Sequence, residues 1–576
     1  MTGTAVYCHK LALALDGGDA NGMLARMTSG EAPISRRKLG GGELAVSRPS
    51  TSTGEGSVTL YLGQPMGAGP LPAPASADEA AQAFTQLEGA FVAIHWDAPA
   101  QILVVVSDFL GMAPLYWRRG PEGMALFSET KAVHGEPDLA GWGAFIAMGH
   151  PIGNRTLLQG VERFPAATVL RYEIPGGRLT MNTYWTGSPA EPSWTTGDFI
   201  EALAENVRDY ASLVEDPTLF LSGGFDSRLI LFLLKREGIP TRARIIAHDD
   251  ELGDADGRSA TKAAEGAGVP VELCYPDPEY FDSDAFLSHV AGVDGESSTL
   301  GLFIAKLYPF IPEGGFWDGL IPGVVFPNAH NPGGGFQAYA AQEVTGRWNP
   351  RWEAAKRLFG ATTVLEMQEA FERDFAGLRK AYPDNPQGVT RFVLENRARR
   401  RTGQNPLKAF ANRGTPLMPG LRRDIVQQAL ALPYAAKAGG AFYRDLLKKV
   451  HPQALDAPVI SGGTPVPRHR LDLAAIGLSW RSGISRSISR HPRVFRKLGW
   501  EPLGNQVFVP HVVRAHWEWD TDRWVDREVL RQADPDSSQG FGVWRLYFHW
   551  AAWRSLHSPE ARGVPFPSVA EKGGAT

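Results

Sequence analysis

The first third of the chain places short apolar runs between turns rich in glycine and proline. Runs bounded in this way are typical of β-strands. A stretch rich in proline and alanine, Gly67–Ala80, predicts a surface loop that leads into a helix near residues 78–88. Residues 1–190 are therefore predicted to form a β-rich domain with few helices. The apolar runs are Leu44–Val46, Ser57–Leu62, Phe91–Ile94 and Ile102–Val106.

The hydrophobic pattern changes near residue 193. Phe199–Leu213 repeats its apolar residues at helical spacing, with Thr196 as a candidate N-cap. Strand-like runs then alternate with helical stretches, which predicts a parallel, doubly wound sheet with ligands at the carboxyl ends of its strands. Beyond about residue 335 the pattern is mostly helical, with proline-rich breaks at 452–467. We therefore predict an α/β protein with two domains, residues 1–190 and 191–576.

The turn after the first of these strands reads Ser222-Gly223-Gly224-Phe225-Asp226-Ser227. Backbone N–H groups at a helix N-terminus attract anions, and paired glycines let the backbone approach phosphates closely. The aspartate could hold Mg²⁺ against the same phosphates. The simpler alternative is a βα turn that only caps the following helix. Because strand, glycines, aspartate and helix occur together, a nucleotide site is favoured, and the absence of a following Gly-Lys-Ser/Thr excludes a Walker loop.

Composition narrows the class of protein. A chain of 576 residues is too long for one ordinary core, and a net charge of −4 gives no argument for nucleic acid or an anionic membrane as a partner. Cys8 and Cys274 lie far apart and suggest neither a disulfide framework nor a metal cluster, which fits a reducing cytoplasm. No apolar run reaches about 18 residues. We expect a cytoplasmic protein that does not span a membrane.

A series of motifs along the chain points to a family. These are Leu87–Val92, Val106–Asp108, Gly111–Tyr116, Phe127–Ala132, Phe164–Ala166 and Tyr184-Trp185, followed by the serine-glycine turn. In this order they resemble the asparagine synthetase-like family over nearly the whole chain. The resemblance implies an N-terminal glutaminase-like (Ntn-type) β sandwich and a C-terminal parallel sheet of the ATP-pyrophosphatase type with a helical C-terminal extension. It also implies ATP and Mg²⁺ as cofactors and release of AMP and pyrophosphate.

Departures from the family bear on the function. Glutaminases of this group carry a cysteine directly after Met1, whereas this chain has Thr2, and the family's Arg-Gly-Pro-Asp run is missing. An N-terminal threonine can be a nucleophile in other hydrolases, but we expect an inactive, structural domain. A synthetase without its own ammonia source resembles β-lactam synthetases and lasso-peptide cyclases. Arg228, the chain length and the segment Trp317–Phe326 favour the cyclase, and Leu320 stands where the β-lactam branch has a tyrosine.

The resemblance also assigns candidate site residues. The family's second metal-binding aspartate falls on Gly323, so Asp318 would share the metal with Asp226. Asp226, Arg228 and Lys437 are the candidate catalytic residues, the two basic side chains neutralising the departing pyrophosphate. The candidate nucleotide-binding residues are Leu221, Ser222, Gly223, Gly224, Phe225, Asp226, Ser227, Ala247, Asp318 and Gly319.

Several questions stay open at this stage. The sequence offers Glu296, Tyr339, Glu343 and Glu395 as general bases without choosing among them. A basic stretch at 468–497 could grip a peptide or form a solvated face, and the histidines, such as His248 and His330, show no metal-ligand spacing. The cyclase interpretation implies a precursor peptide as substrate, with a leader-binding protein and a leader protease as partners. The alternatives are a β-lactam- or asparagine-type small-molecule synthetase and a non-catalytic nucleotide-binding scaffold.

Overall fold

The computed structural model describes most of the chain. The described residues are 4–15, 18–28, 34–49, 56–67, 69–120, 123–188, 191–247, 254–276, 280, 283–296, 307–327, 334–342, 349–461, 464–466, 477, 480, 524–534 and 537–558. Within them, no helix combines the length and the apolar character needed to cross a membrane.

Twelve strands form two six-stranded sheets in the N-terminal part. They are β1 Thr4–Tyr7, β2 Lys10–Leu15, β3 Ile34–Leu39, β4 Gly42–Ser47, β5 Val58–Met66, β6 Glu88–Asp97, β7 Ile102–Ser107, β8 Tyr116–Gly120, β9 Gly123–Phe127, β10 Glu162–Arg163, β11 Thr168–Glu173 and β12 Arg178–Thr183. One sheet has the order β1-β5-β6-β7-β11-β12 and the other β10-β8-β9-β2-β4-β3. All pairings are antiparallel except that of β1 with β5.

Alternating side chains of these strands explain the packing. In β6, Val92 and Ile94 join a large core that also contains Leu11 and Leu13 of β2, so the two sheets share one buried layer. The alternate residues Phe91 and Ala93 face the opposite way into a smaller core. Because a strand presents successive side chains to opposite faces, a strand buried on both faces must be apolar throughout. The predicted β-rich character of this region is confirmed, and its sheets are almost entirely antiparallel.

Seven further strands follow. They are β13 Thr218–Phe220, β14 Arg242–Ile246, β15 Val271–Cys274, β16 Gly315–Trp317, β17 Thr415–Leu417, β18 Val459–Ser461 and β19 Thr464–Val466. The first five form a parallel sheet in the order β15-β14-β13-β16-β17, and the last two form a hairpin. The predicted parallel sheet is confirmed. Beyond residue 335 the described residues are mostly helical, as predicted, apart from β17, β18 and β19. β17 is a three-residue edge strand with a central proline, Pro416, and is too short to show a period.

The helices complete the two parts. They are α1 Ala20–Met27, α2 Ala77–Phe84, α3 Leu139–Met148, α4 Thr196–Ala211, α5 Phe225–Glu237, α6 Ala255–Ala267, α7 Asp284–Gly292, α8 Leu320–Val325, α9 Gly335–Tyr339, α10 Asn349–Phe359, α11 Ala361–Leu378, α12 Pro386–Phe392, α13 Arg423–Ala431, α14 Tyr434–Lys437, α15 Ala441–Val450, α16 Arg527–Gln532 and α17 Ser538–His557. Val393–Thr402 and Asn405–Ala409 are π-helical. Short 3₁₀ turns lie at Thr130–Ala132, Tyr308–Phe310, Arg379–Ala381, Phe410–Asn412, Ala438–Gly440 and Pro452–Leu455.

Two helix boundaries differ from the prediction. Helix α4 is capped by Thr195 rather than Thr196, since the Thr195 hydroxyl accepts from the N–H of Asp198, whose carboxylate accepts in return from the N–H of Thr195. Helix α2 ends at Phe84 because β6 begins at Glu88.

The aromatic helix α17 packs against α3, with the rings of Trp142 and Trp550 4.7 Å apart. The division at residue 190 stays a prediction.

Candidate active site

The parallel sheet has one point where its strand order reverses, between β13 and β16. In open α/β sheets, ligands bind beyond the carboxyl ends of the strands at such a point. Ser222–Ser227 follows β13, and Asp318 follows β16. A cavity of about 420 Å³ opens there, which lies within the size range of sites for small ligands. Its walls are formed by Phe220, Leu221, Ser222, Asp226, Ser227, Arg244, Ile246, Asp256, Leu307, Trp317, Asp318, Gly319, Leu320, Gly323, Val324, Arg397, Thr402, Asn405, Pro406 and Phe410.

The serine-glycine loop is held by its own hydroxyl groups. The Ser227 hydroxyl accepts from the N–H of Ser222 at 3.0 Å and lies 3.0 Å from the Ser222 hydroxyl. The Ser222 hydroxyl in turn accepts from the N–H of Gly224 at 3.2 Å. Helix α5 begins at Phe225 with no side-chain cap, so its first N–H groups keep their capacity for an anion. The two serines therefore fix the shape of a loop suited to phosphate.

Asp226 and Asp318 are half-buried residues whose carboxyls lie on the wall of the cavity. Tyr443 donates a hydrogen bond of 2.9 Å to Oδ1 of Asp226, and the N–H of Leu320 donates one of 2.8 Å to Oδ1 of Asp318. Burial raises the pKa of both carboxyls to about 6, and for Asp226 the neighbouring Asp318 raises it further. Two carboxylates held in this way repel each other, and a cation between them would relieve the repulsion.

Glycine at position 323 is explained by Asp226. A Cβ on Gly323 would lie 2.6 Å from Oδ2 of Asp226, and one on Gly319 would lie 2.9 Å from the Asp226 Cβ. The first turn of α8 thus packs directly on the aspartate. In the present rotamer of Asp226 no aspartate fits at position 323, and Asp318 lies on the same cavity wall.

Asp256 is a wall residue that the sequence analysis missed. It lies in the first turn of α6, and its carboxylate accepts a hydrogen bond from the N–H of Gly223. Burial raises the pKa of Asp256, and this hydrogen bond lowers it by a smaller amount. Its backbone and Oδ1 lie 3.1 Å from where a Cβ on Gly223 would be, so this glycine permits the contact. The sequence signal was weak, because a lone aspartate at a helix start is ordinary N-terminal chemistry.

The residues present fit ATP with Mg²⁺. Magnesium is bound through one or two carboxylates together with phosphate oxygens rather than by a cage of protein ligands. Asp226 and Asp318 supply such a pair, beside a loop suited to phosphate. Among the described residues, no group of three or more His, Cys, Asp and Glu side chains could hold a metal alone. A cation here would therefore need the nucleotide's oxygens.

Arg228 contacts the serine-glycine loop from the protein interior, where it donates to the carbonyl of Gly223 at 3.3 Å. Its guanidinium is fully buried and donates to the carbonyls of Ala457 and Pro458 at 2.6 and 3.1 Å and to the Ser259 hydroxyl at 3.0 Å. It is not part of the cavity wall. Burial lowers its pKa to about 10. The contacts favour a role in fixing the loop to the 454–458 segment, and a catalytic role stays a prediction.

We expect Arg228→Leu to lower the free energy of unfolding by about 3 kcal/mol or more, because it strands buried carbonyl oxygens. Urea unfolding followed by fluorescence measures the loss. The control is Arg236→Leu on the exposed side of the same helix, where an ion pair with Glu201 is worth about 0–1 kcal/mol. Equal losses in both variants would contradict the structural role.

Lys437 is also buried away from the cavity wall. Its ammonium donates to the carbonyls of Val325 and Ala429 at 2.8 and 2.6 Å, near the ends of α8 and α13. Burial lowers its pKa to about 7. Its catalytic role stays a prediction.

The remaining predicted nucleotide-binding residues divide into two groups. Leu221, Ser222, Asp226, Ser227, Asp318 and Gly319 line the cavity together. The cavity wall does not include Gly223, Gly224 and Phe225, although they belong to the same loop. Ala247 also lies outside the wall, just beyond β14, where its N–H donates to the carbonyl of Cys274.

None of the candidate general bases among the described residues lines the cavity. Glu296 accepts from Tyr116 at 3.1 Å, and Glu395 accepts from Tyr382 at 2.7 Å. Tyr339 is packed among aromatic rings. Glu343, His248 and His330 lie outside the described residues, as does the basic stretch at 468–497 apart from Gly477 and Trp480.

Cys8, the first cysteine of the chain, is placed as a core residue. Its thiol is buried in the shared layer of the two sheets, lies 3.7 Å from the Tyr61 carbonyl, and burial raises its pKa to about 12. A thiolate is needed for nucleophilic attack, so this group is unsuited to glutamine hydrolysis. Thr2 lies outside the described residues.

We expect iodoacetamide at pH 8 to leave Cys8 unmodified in the folded chain and to modify it after unfolding in urea. Mass spectrometry of proteolytic peptides reports the modified cysteine. We also expect Cys8→Ser to hydrolyse glutamine no more slowly than the original chain. Rapid alkylation of Cys8 in the folded chain would contradict the inert assignment.

Sequence comparisons match this chain to a glutamine amidotransferase domain and to a glutamine-hydrolyzing enzyme. Residues 75–185 match the family described as glutamine amidotransferase domain. GMP synthase (glutamine-hydrolyzing) of Corynebacterium jeikeium (strain K411) is 29% identical to the chain over 156 residues, which are 25% of this chain and 28% of that enzyme. The match thus spans just over a quarter of that enzyme. These matches support an amidotransferase-like family of enzymes.

Two solved structures show only weak similarity. Glutamine phosphoribosylpyrophosphate amidotransferase from B. subtilis, complexed with ADP and GMP, is 12% identical, with 46% of this chain and 65% of that chain covered and a TM-score of 0.21. NMN synthetase from Francisella tularensis is 12% identical, with 51% and 96% covered and a TM-score of 0.16. At these scores the superpositions carry no argument.

Proposed function

We propose that this chain is an ATP-dependent carboxylate–amine ligase that releases AMP and pyrophosphate. The observation that carries the proposal is the cavity at the switch point of the parallel sheet. There the serine-glycine loop and the half-buried side chains of Asp226 and Asp318 face the same space. The matches to amidotransferase and GMP synthase sequences support an enzyme of this general kind.

Each wall element has a role in this reaction. When bound, ATP with Mg²⁺ would supply the adenylyl group that activates a substrate carboxylate, with pyrophosphate as the leaving group. The N-terminus of α5 and the loop before it orient the phosphates, since their N–H groups are fixed before the ligand arrives. Asp226 and Asp318 hold the cation, and Tyr443 fixes the Asp226 carboxylate through its hydrogen bond. Holding carboxylate and phosphate in line converts a bimolecular encounter into an oriented one.

For the substrate we propose a peptide that closes on itself. The N-terminal part, which we take to be a glutaminase-type sandwich, lacks the cysteine after Met1, so the amine would come from the substrate. An intramolecular isopeptide bond between an N-terminal amine and an Asp or Glu side chain is the reaction of lasso-peptide cyclases. A precursor peptide would then be the substrate, with a leader-binding protein and a leader protease as partners. A β-lactam- or asparagine-type small-molecule synthetase is the alternative enzyme.

Exchange of labelled pyrophosphate into ATP tests the adenylation step. The full chain is assayed with Mg²⁺, the leader-binding protein and protease, and synthetic peptides bearing a free amine and one side-chain carboxylate. We expect peptide-dependent exchange, loss of one water from the peptide mass, and no exchange in Asp318→Asn. Exchange with free aspartate and ammonia instead would favour the small-molecule synthetase.

A non-catalytic scaffold is the second candidate function, and Gly323 at the expected aspartate position is the observation that favours it. A scaffold would bind ATP without any exchange in the full set of substrates and partners. That outcome would overturn the ligase proposal.

A further inference from the structure

Asn405 is a buried amide on the cavity wall, in the π-helical segment Asn405–Ala409. Its side chain is 2% exposed, and Nε2 of His289 lies 3.0 Å from its Oδ1. An amide oxygen can only accept, so the imidazole donates this hydrogen bond. Burial lowers the pKa of His289 to about 4, so the ring is neutral near pH 7 with its proton on Nε2. One end of the amide is thereby fixed.

The other end of the same amide is left for a ligand. Among the described residues, Nδ2 of Asn405 makes no hydrogen bond. A buried N–H donor without an acceptor costs free energy. Because Asn405 lines the cavity, an oxygen of a bound ligand can accept from Nδ2 and remove that cost.

The backbone that carries Asn405 is held by buried charges. Lys408, three residues further along the same segment, forms an ion pair with Asp294, and both side chains are almost fully buried. The ring of His289 packs against that of Phe410, with 5.8 Å between the centroids. A donor that is fixed before its ligand arrives loses little conformational entropy on binding.

The cavity-lining residues that follow Asn405 along the chain are apolar. They are Pro406 and Phe410, and both are buried. Charged phosphate oxygens are costly to hold against apolar groups, and the serine-glycine loop already offers them its N–H groups. A neutral donor beside apolar side chains instead suits an acyl carbonyl, whose orientation it would fix.

Resting on the proposed function, we propose that Nδ2 of Asn405 donates to the carbonyl oxygen of the activated acyl group. In the activation step, one oxygen of the substrate carboxylate bonds to the α-phosphorus of ATP, and the bond from that phosphorus to pyrophosphate breaks. The second oxygen becomes the carbonyl oxygen that Asn405 binds. When the amine attacks, negative charge develops on this oxygen and the N–H donor stabilises it. AMP then leaves, and the nitrogen releases a proton to solvent.

Calorimetric titration of the full chain with two nucleotide analogues tests the contact. 5′-O-sulfamoyladenosine resembles AMP, and its N-acetyl derivative adds an acyl carbonyl where the activated carboxylate would be. We expect the original chain to bind the acetylated compound more tightly than the plain one. Asn405→Leu, which lacks the N–H donor, should lower that preference about tenfold and keep its affinity for Mg²⁺-ATP.

Two further variants make the result specific. Asn405→Asp keeps an oxygen for His289 and replaces the Nδ2 donor with an acceptor, so it should lower the preference even if Asn405→Leu folds poorly. Asn412→Asp makes the same change in the 3₁₀ turn Phe410–Asn412, outside the cavity wall, and should keep the preference. Circular dichroism checks that each variant is folded.

The outcomes separate this contact from the proposed function. If the original chain binds neither Mg²⁺-ATP nor either analogue, the proposed function fails and the Asn405 contact fails with it. If the original chain binds Mg²⁺-ATP without preferring the acetylated compound, or if both Asn405 variants keep the preference, only the Asn405 contact is overturned. Equal weakening of both analogues and of Mg²⁺-ATP would also overturn it, because Asn405 would then act on the nucleotide rather than on the acyl group.

Discussion

Asp226→Asn is expected to lower the rate of ATP–pyrophosphate exchange by at least about 100-fold. The same substitution is expected to stabilise the ligand-free chain at pH 7.5. The two effects have one cause. Burial raises the pKa of Asp226 to about 6, so its ionised form is costly until a cation arrives. Asparagine keeps the oxygen that accepts from Tyr443 and removes the charge. A residue that costs stability in the empty site and supports the reaction is typical of functional sites.

The pH dependence follows from the direction of this pKa. A carboxyl whose pKa is higher in the folded chain than in the unfolded chain stabilises the folded chain. Its contribution to the free energy of unfolding is complete at pH values below the pKa of the unfolded chain. That contribution falls as the pH rises and is lost above the folded pKa. Between the ordinary value of 3.8 and about 6, the difference amounts to roughly 3 kcal/mol. The advantage of Asp226→Asn should therefore be largest above pH 6 and disappear near pH 4.

Thermal unfolding at pH 4, 5, 6 and 7.5, with and without Mg²⁺-ATP, measures both effects. Asp318→Asn is the matched variant, since burial raises the pKa of Asp318 to about 6 as well. Mg²⁺-ATP should stabilise the original chain and not Asp226→Asn. A variant that is less stable than the original chain at pH 7.5 would show that this carboxylate is not destabilising, and the electrostatic account of the site would fail.

Gly323→Ala is expected to lower ATP–pyrophosphate exchange by about tenfold or more, although alanine is ordinarily favoured over glycine within a helix. The added Cβ would lie 2.6 Å from Oδ2 of Asp226 and 2.8 Å from its Cγ. The carboxylate must then turn away from its hydrogen bond with Tyr443 and from the cation position. A displacement of about 1 Å at a reacting centre can cost a hundredfold in rate.

Gly266→Ala is the control for this change. Gly266 lies in α6 with nothing within 4 Å of an added Cβ, so alanine should leave exchange unchanged and stabilise the chain by about 0.5–1 kcal/mol. Titration of exchange against Mg²⁺ should show a higher requirement in Gly323→Ala only. Equal exchange in the two alanine variants would mean that Asp226 has no fixed place in the reaction.

Local patterns predicted much of the fold. The apolar runs of the N-terminal part became strands because alternation and turn residues act over a few neighbours. The serine-glycine loop was predicted for the same reason, since strand, turn and helix are contiguous in sequence. Prediction failed where a feature depends on distant residues. β17 is a strand because it pairs with β16 a hundred residues earlier, and Asp256 reaches the site only through the packing of α6.

The local sequence predicted the chemistry of the loop, a strand–turn–helix with two glycines, two serines and an aspartate. Which other side chains share the site became visible only in the folded chain. Folding placed Asp318 and Asp256 beside the loop, left no room for a side chain at Gly323, and engaged Arg228 and Lys437 with backbone carbonyls. The physical reason is that charge and hydrogen-bonding capacity belong to a residue, whereas burial and partners are set by chain segments that meet only on folding.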